Sequence, residues 1–206
     1  MSAPVRAAVT RLLEVPSLYG LLQRSIAPES RKRIFVDEYL RASPGDRVLD
    51  IGCGPGYLVR YLPPVEYLGF DPNPDYIASA RSNFGEQGEF IVGGIDDVEL
   101  AGRAPFDIVV SKGVLHHLDD DQVIAVADLA KSVLGPHGRL VCLEPCFVPN
   151  QSRVSRFLVS HDRGEHVRRA EDYQALLARH LPSVAAVHRT DLLTVPYTHV
   201  ILTASS

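Results

Sequence analysis

The sequence predicts an α/β fold: a three-layer sandwich with helices on both faces of a seven-stranded, mostly parallel sheet that ends in an antiparallel hairpin. Two observations carry this. Short apolar runs at 46–51, 65–70 (VEYLGF), 89–92 (EFIV), 106–111 (FDIVVS) and 138–144 (GRLVCLE) read as buried strands, and helix-like segments, notably 74–84 and 119–134, separate most of them. Beyond residue 144 the rhythm changes to a long polar connection, a helix near 170–180, and two strand-like runs, VAAVHRTDLL and YTHVILTA, joined by a short turn at Val195-Pro196. Such close spacing favours antiparallel pairing.

The elements follow in order. Residues 1–41 have helical texture, with Leu12, Leu13, Leu18, Leu21, Leu22 and Ile26, then Ile34, Phe35, Tyr39 and Leu40, at near-helical intervals. Two or three short helices are expected there, punctuated by Pro16 and Pro28. SPGD at 43–46 is a turn, and RVLDIG after it is a buried strand. Gly52, Gly54 and Gly56 then form a turn before a helix-like pattern resumes.

Composition describes one soluble globular domain over 1–206, with 46% hydrophobic and 22% charged residues. A net charge of −4 argues against an extended nucleic-acid footprint. Cys53, Cys142 and Cys146 are odd in number and lack a Cys-x-x-Cys pair, so neither disulfides nor zinc are expected. The absence of a signal-like start or a membrane-length apolar run points to a cytoplasmic setting.

In an open parallel sheet the first strand aims its C-terminal loop at the ligand crevice. Glycines there let backbone approach a ligand, and Asp71, 21 residues after Asp50, suits a carboxylate accepting from ribose hydroxyls. An adenosine-containing ligand follows. A dinucleotide fingerprint would need a glycine where Tyr57 stands, and no Gly-Lys-Ser/Thr follows for a phosphate loop.

Asp-x-Gly-x-Gly-x-Gly resembles motif I of the class I S-adenosylmethionine-dependent methyltransferases. The likeness continues through GFDPNPDYIASA, FIVGGIDDVEL, FDIVVSKGVLHHLDD and LGPHGRLVCLEP, covering residues 44–145. The resemblance implies a Rossmann-like core over 42–206, with 1–41 as a helical lid, and S-adenosyl-L-methionine as cofactor. It places Asp50 and the Gly52-Cys53-Gly54 backbone, with Gly56, beside the methionine part, Asp71 on the ribose, and Pro72 and Asn73 along the adenosine. Gly93, Gly94 and Ile95 stand where the family often has Gly-Asp-Ala, with Asp96 and Asp97 after them; the usual acid is missing at Gly94, so the adenine contact falls to Asp96 or to backbone around Gly94 and Ile95. Ser111, Lys112 and Gly113 would approach the methionine amino group and sulfonium, and Tyr19 resembles a lid tyrosine.

An oxygen or nitrogen acceptor must lose a proton, which calls for a base beyond the fourth and fifth strands, where His116, His117 and Glu144 fall. His117 and Glu144 are the candidates for touching the acceptor, against a reading in which one histidine packs or caps the helix near Asp119. The connection 145–169 is expected to cap the acceptor pocket. Its His161-Asp162 pair could serve as base and orienting carboxylate; the competing reading is an ion-pair network of Asp162, Glu165, Arg163 and Arg168 that holds the loop. No metal site is expected. The acceptor expected is a small molecule, natural-product or saccharide-like, and the protein a monomer or homodimer. A noncatalytic binding module, an RNA or protein methyltransferase and a nicotinamide dehydrogenase are the rivals.

Overall fold

The computed structural model describes residues 28–205 apart from 101, 104 and 163. Tyr19 and most of the expected lid lie outside them. Seven strands, β1 (Arg47–Ile51), β2 (Glu66–Asp71), β3 (Glu89–Val92), β4 (Phe106–Lys112), β5 (Leu134–Pro145), β6 (Ser183–Arg189) and β7 (His199–Ser205), form one sheet in the order β3-β2-β1-β4-β5-β7-β6. The first five are parallel. β7 runs antiparallel to both β5 and β6, with Arg189 opposite His199 at the hairpin end.

Burial explains why the central strands read as unbroken apolar runs. Val48, Leu49, Ile108, Val109 and Val110 are fully buried because both sheet faces are covered. One face packs against α3 (Asp120–Val133) and α5 (Ala170–Leu177), through Val123, Val126, Ala127, Tyr173 and Leu177. The other packs against α2 (Pro74–Phe84) and against α1 (Glu29–Ile34), which continues into a π-helical turn, Phe35–Leu40.

Helix starts are chemically marked. Asn73 caps α2, accepting from the amides of Asp75 at 2.9 Å and Tyr76 at 3.3 Å, with Pro74 at the first helical position. Asp119 and Gln122 form a reciprocal capping box on α3.

Two expectations are corrected. The helix expected after the first glycine turn is a single 3₁₀ turn, Val59–Tyr61. Pro63 and Pro64 lack N–H donors and push the residues before them toward extended backbone, so the short β1–β2 connection cannot carry a longer helix. Conversely, the polar connection 145–169 contains α4 (Arg153–Ser160), started by the Ser152 side chain accepting the Ser155 amide at 3.1 Å. Its inward face joins a polar and an apolar residue: Ser155, buried beside Val159, shares a 2.8 Å hydrogen bond with Thr198. Val154 and Phe157 are exposed, so apolar residues stand on its outer side as well as its inner one.

Candidate functional site

Strand order reverses between β1 and β4, which opens a crevice at the carboxyl ends of the parallel strands. The glycine turn leaving β1 lines it. Gly52, Gly54 and Gly56 all have left-handed backbone, at φ +67°, +53° and +76°. A Cβ on Gly54 would meet nothing within 4 Å, so this backbone faces open space, whereas one on Gly52 would stand 2.5 Å from Val114 Cγ2. Gly52→Ala is therefore expected to cost about 1–3 kcal/mol from strain and overpacking, and Gly54→Ala about 1–2 kcal/mol from backbone alone. Thermal melts of both variants check the order; equal losses would contradict the Val114 contact.

Asp71, at the end of β2, closes the other side of the turn. Its two oxygens accept the Gly54 amide at 3.0 Å and the Asn73 amide at 2.9 Å. Each keeps lone-pair capacity for a further donor. Burial raises its pKa and the two amides oppose that rise. Asp50 is buried, and burial pushes its carboxyl up to about 7 against the Tyr67 hydroxyl, which donates to it at 2.5 Å, and the Lys112 charge. Tyr67 has no sequence signature as a site residue; only strand pairing brings it under Asp50.

Cys53 tucks against Gly69 of β2, where a Cβ would lie 2.8 Å from its Sγ. Burial drives its thiol far up, so it packs as a small apolar group. Pro72 is exposed and Asn73 half-buried. After β3, the Asp97 carboxylate accepts the Gly94 amide at 2.9 Å; Asp96 is exposed beside it and Ile95 packs on the core.

At the end of β4, Ser111 is buried and its Oγ has no hydrogen-bond partner among the described residues. Side-chain alternation sets Asp50, Lys112 and His199 on the sheet face that residues 35–40 cover. Surrounding protein lowers the Lys112 pKa, opposed by Asp50 and reinforced by Lys32, which brings α1 near this edge. Gly113 has φ +72° and donates its amide to the Leu143 carbonyl at 2.8 Å.

The candidate acceptor residues fall differently from one another. Glu144 is fully buried, and its carboxylate accepts the amides of Val114 (3.0 Å), Leu115 (2.9 Å) and His116 (3.3 Å) and lies 2.6 Å from His116 Nδ1. His117 is exposed, its ring against that of His116 with centroids 4.1 Å apart. His161 is exposed at the end of α4, where its Nδ1 lies 2.8 Å from the Phe157 carbonyl.

The expected His161-Asp162 couple does not form. Asp162 turns instead to His116 Nε2 at 3.1 Å and to the Tyr197 hydroxyl. The ion pair of Arg168 is with Asp120, at 2.7 Å; it also donates to the carbonyls of Leu115 and Leu118 and, within the loop, of His166. Neither sequence reading gave Asp162 the partners His116 and Tyr197, because the end of β4 and the start of β7 are distant in the chain and meet only through the sheet.

Comparison with known proteins agrees with this geometry. The family model described as "Methyltransferase domain" matches residues 48–138. An uncharacterized methyltransferase of Synechocystis sp. is 29% identical over 131 residues, 61% of this chain and 61% of that protein. A ubiquinone biosynthesis O-methyltransferase of Xylella fastidiosa is 34% identical over 101 residues, 47% of this chain and 40% of that protein. The matched segments thus span well under two thirds of these relatives. The crystal structure of magnesium protoporphyrin IX methyltransferase from Synechocystis PCC 6803 with bound SAH superposes with a TM-score of 0.60 at 19% identity, covering 85% of this chain and 80% of that one. The glycine turn, the strand order and these matches agree: residues 48–138 match a methyltransferase domain, and the fold is the one seen in solved S-adenosylmethionine-dependent methyltransferases.

Proposed function

We propose that the protein binds S-adenosyl-L-methionine in the crevice between β1 and β4 and transfers its methyl group to an oxygen or nitrogen nucleophile of a small-molecule acceptor, natural-product or saccharide-like. The observation that carries this is Asp71: it is tied to the glycine turn through the Gly54 amide while both its oxygens keep capacity for ribose hydroxyls. The open space at Gly54 and the unpartnered Ser111 Oγ fit the same ligand.

When bound, the cofactor supplies an electrophilic methyl on its sulfonium. The chain's own contribution is then to hold two partners in line and to exclude water. Asp71, with Asn73 and the backbone of 52–54, would hold the adenosine end; Ser111, Lys112 and Gly113 would hold the methionine end. Glu144 already receives four donors, so its role here is to fix the 114–116 turn. His117, exposed next to that turn, would contact the acceptor and take its proton.

Two measurements test the reading. Calorimetry should show binding of S-adenosylmethionine and its demethylated product, with NAD weaker by about ten-fold or more. A panel of phenols, saccharides, amines, carboxylic acids and tRNA should then yield demethylated cofactor with at least one small molecule. Tight NAD binding alone would overturn the cofactor assignment. Turnover only on tRNA would replace the acceptor class, and binding without turnover anywhere would favour a noncatalytic module.

A further inference from the structure

Contacts from two separate parts of the chain converge on one buried residue, His116, at the carboxyl edge of β4 and β5. Its Nδ1 lies 2.6 Å from Glu144 of β5, and its Nε2 lies 3.1 Å from Asp162 beyond α4. Its own carbonyl accepts the His166 amide at 2.9 Å. Gly164 sits so close that a Cβ there would fall 2.1 Å from His116 Cδ2, so any larger residue would displace the segment. Asp162 is itself held by the Gly164 amide at 3.1 Å and by the Tyr197 hydroxyl. A neutral imidazole has one N–H and can donate to only one carboxylate; a ring between two carboxylates is satisfied only as the imidazolium.

We propose that His116 is a positioning residue for the acceptor side of the reaction: as an imidazolium seated on Glu144 it pins Asp162, and so latches Asp162, Gly164, His166 and the Tyr197 hydroxyl onto the end of the sheet. The consequence for turnover rests on the methyltransferase reading. The latch itself does not.

The geometry has a definite pH signature. Burial acts to lower the His116 pKa, but the hydrogen bonds to Asp162 and Glu144 outweigh it and raise it to about 9. A group raised in this way contributes fully below its ordinary value of 6.5, and its contribution is lost as pH climbs through about 9. The other groups around it are Glu144 from β5, Asp162 and His166 from the latched segment, Tyr197 and His199 from the hairpin, and His117 from its own turn, with Arg168 on the neighbouring Leu115 carbonyl and Tyr173 of α5 on the Glu144 side. Asp162 is held ionised, below the usual carboxylate range, by His116 and Tyr197 against burial. Burial keeps Tyr173 and Tyr197 protonated, and holds His199 neutral by lowering it to about 4.

Hydrogen exchange on the full chain without cofactor reads the latch directly, through the Gly164 and His166 amides. In the wild type, protection corrected for intrinsic exchange should fall by about ten-fold or more between pH 6.5 and pH 10. A His117→Gln/His166→Gln background should keep that fall. Asp162→Asn, at a part-exposed position and so expected to fold, should show low protection that no longer varies with pH, while S-adenosylmethionine affinity stays within about three-fold. With a turned-over acceptor, the same variant should raise acceptor KM by about ten-fold while cofactor KM holds. Unchanged, pH-insensitive protection in wild type, or equal protection in Asp162→Asn, overturns the latch. A lost latch with unchanged acceptor KM overturns the positioning role. Absence of turnover with any acceptor counts against the methyltransferase reading, and the exchange data still decide the latch.

Discussion

Glu144→Ala will cost about 3–5 kcal/mol of folding stability, the largest loss expected from any single substitution in the site. The carboxylate is fully buried and receives three backbone amides and the His116 ring. Removing it strands a buried imidazolium between a void and Asp162, together with the N–H groups of Val114, Leu115 and His116 that it now accepts. Glu144→Gln keeps the volume and one acceptor oxygen, so it should lose less than alanine while still weakening the bond to His116. Urea unfolding at pH 7, read by far-UV circular dichroism, measures both. A loss under about 1 kcal/mol for alanine would show that the turn is held by its packing and not by the carboxylate. Because β4 and β5 are central to the sheet, the effect should be global and not confined to the loop.

Asp71→Ala should produce the largest functional effect on the cofactor side, weakening S-adenosylmethionine and its demethylated product together by about ten-fold or more. Charged hydrogen bonds to ribose hydroxyls would be lost, and the Gly54 amide would lose the acceptor that now orients the turn. Asp71→Asn retains a single acceptor oxygen for Gly54, Asn73 and the ligand, so an intermediate loss is expected. Calorimetry with both ligands gives the comparison. Unchanged affinity in alanine would place the adenosine end away from β2 and would remove the observation on which the proposed function stands. Equal loss for both ligands is part of the expectation, since the ribose is common to them.

Legibility in the sequence followed the range of the interactions involved. α2 and β3 were read at their observed bounds, 74–84 and 89–92, because a proline, an asparagine cap and an apolar run are local signals. The C-terminal hairpin was visible for the same reason: two apolar runs too close together for a crossover. α4 was not, since its eight residues are too few for a helical period to stand out within a polar connection. The turn Val59–Tyr61 misled in the opposite sense. Its apolar spacing suits a helix, but the two prolines shorten it.

The site divides along the same line. The glycine turn and Asp71 sit at strand ends, where a motif of fixed spacing delivers backbone and carboxylate to one crevice, so the linear pattern by itself determined that these candidate cofactor residues lie together. His116, Asp162 and Tyr197 come from β4's end, the α4 connection and the hairpin, and no spacing links them. Only the tertiary structure decided that Asp162 faces His116 and not His161, because the sheet order sets β5 and β7 side by side and burial makes a doubly paired imidazolium the satisfied state.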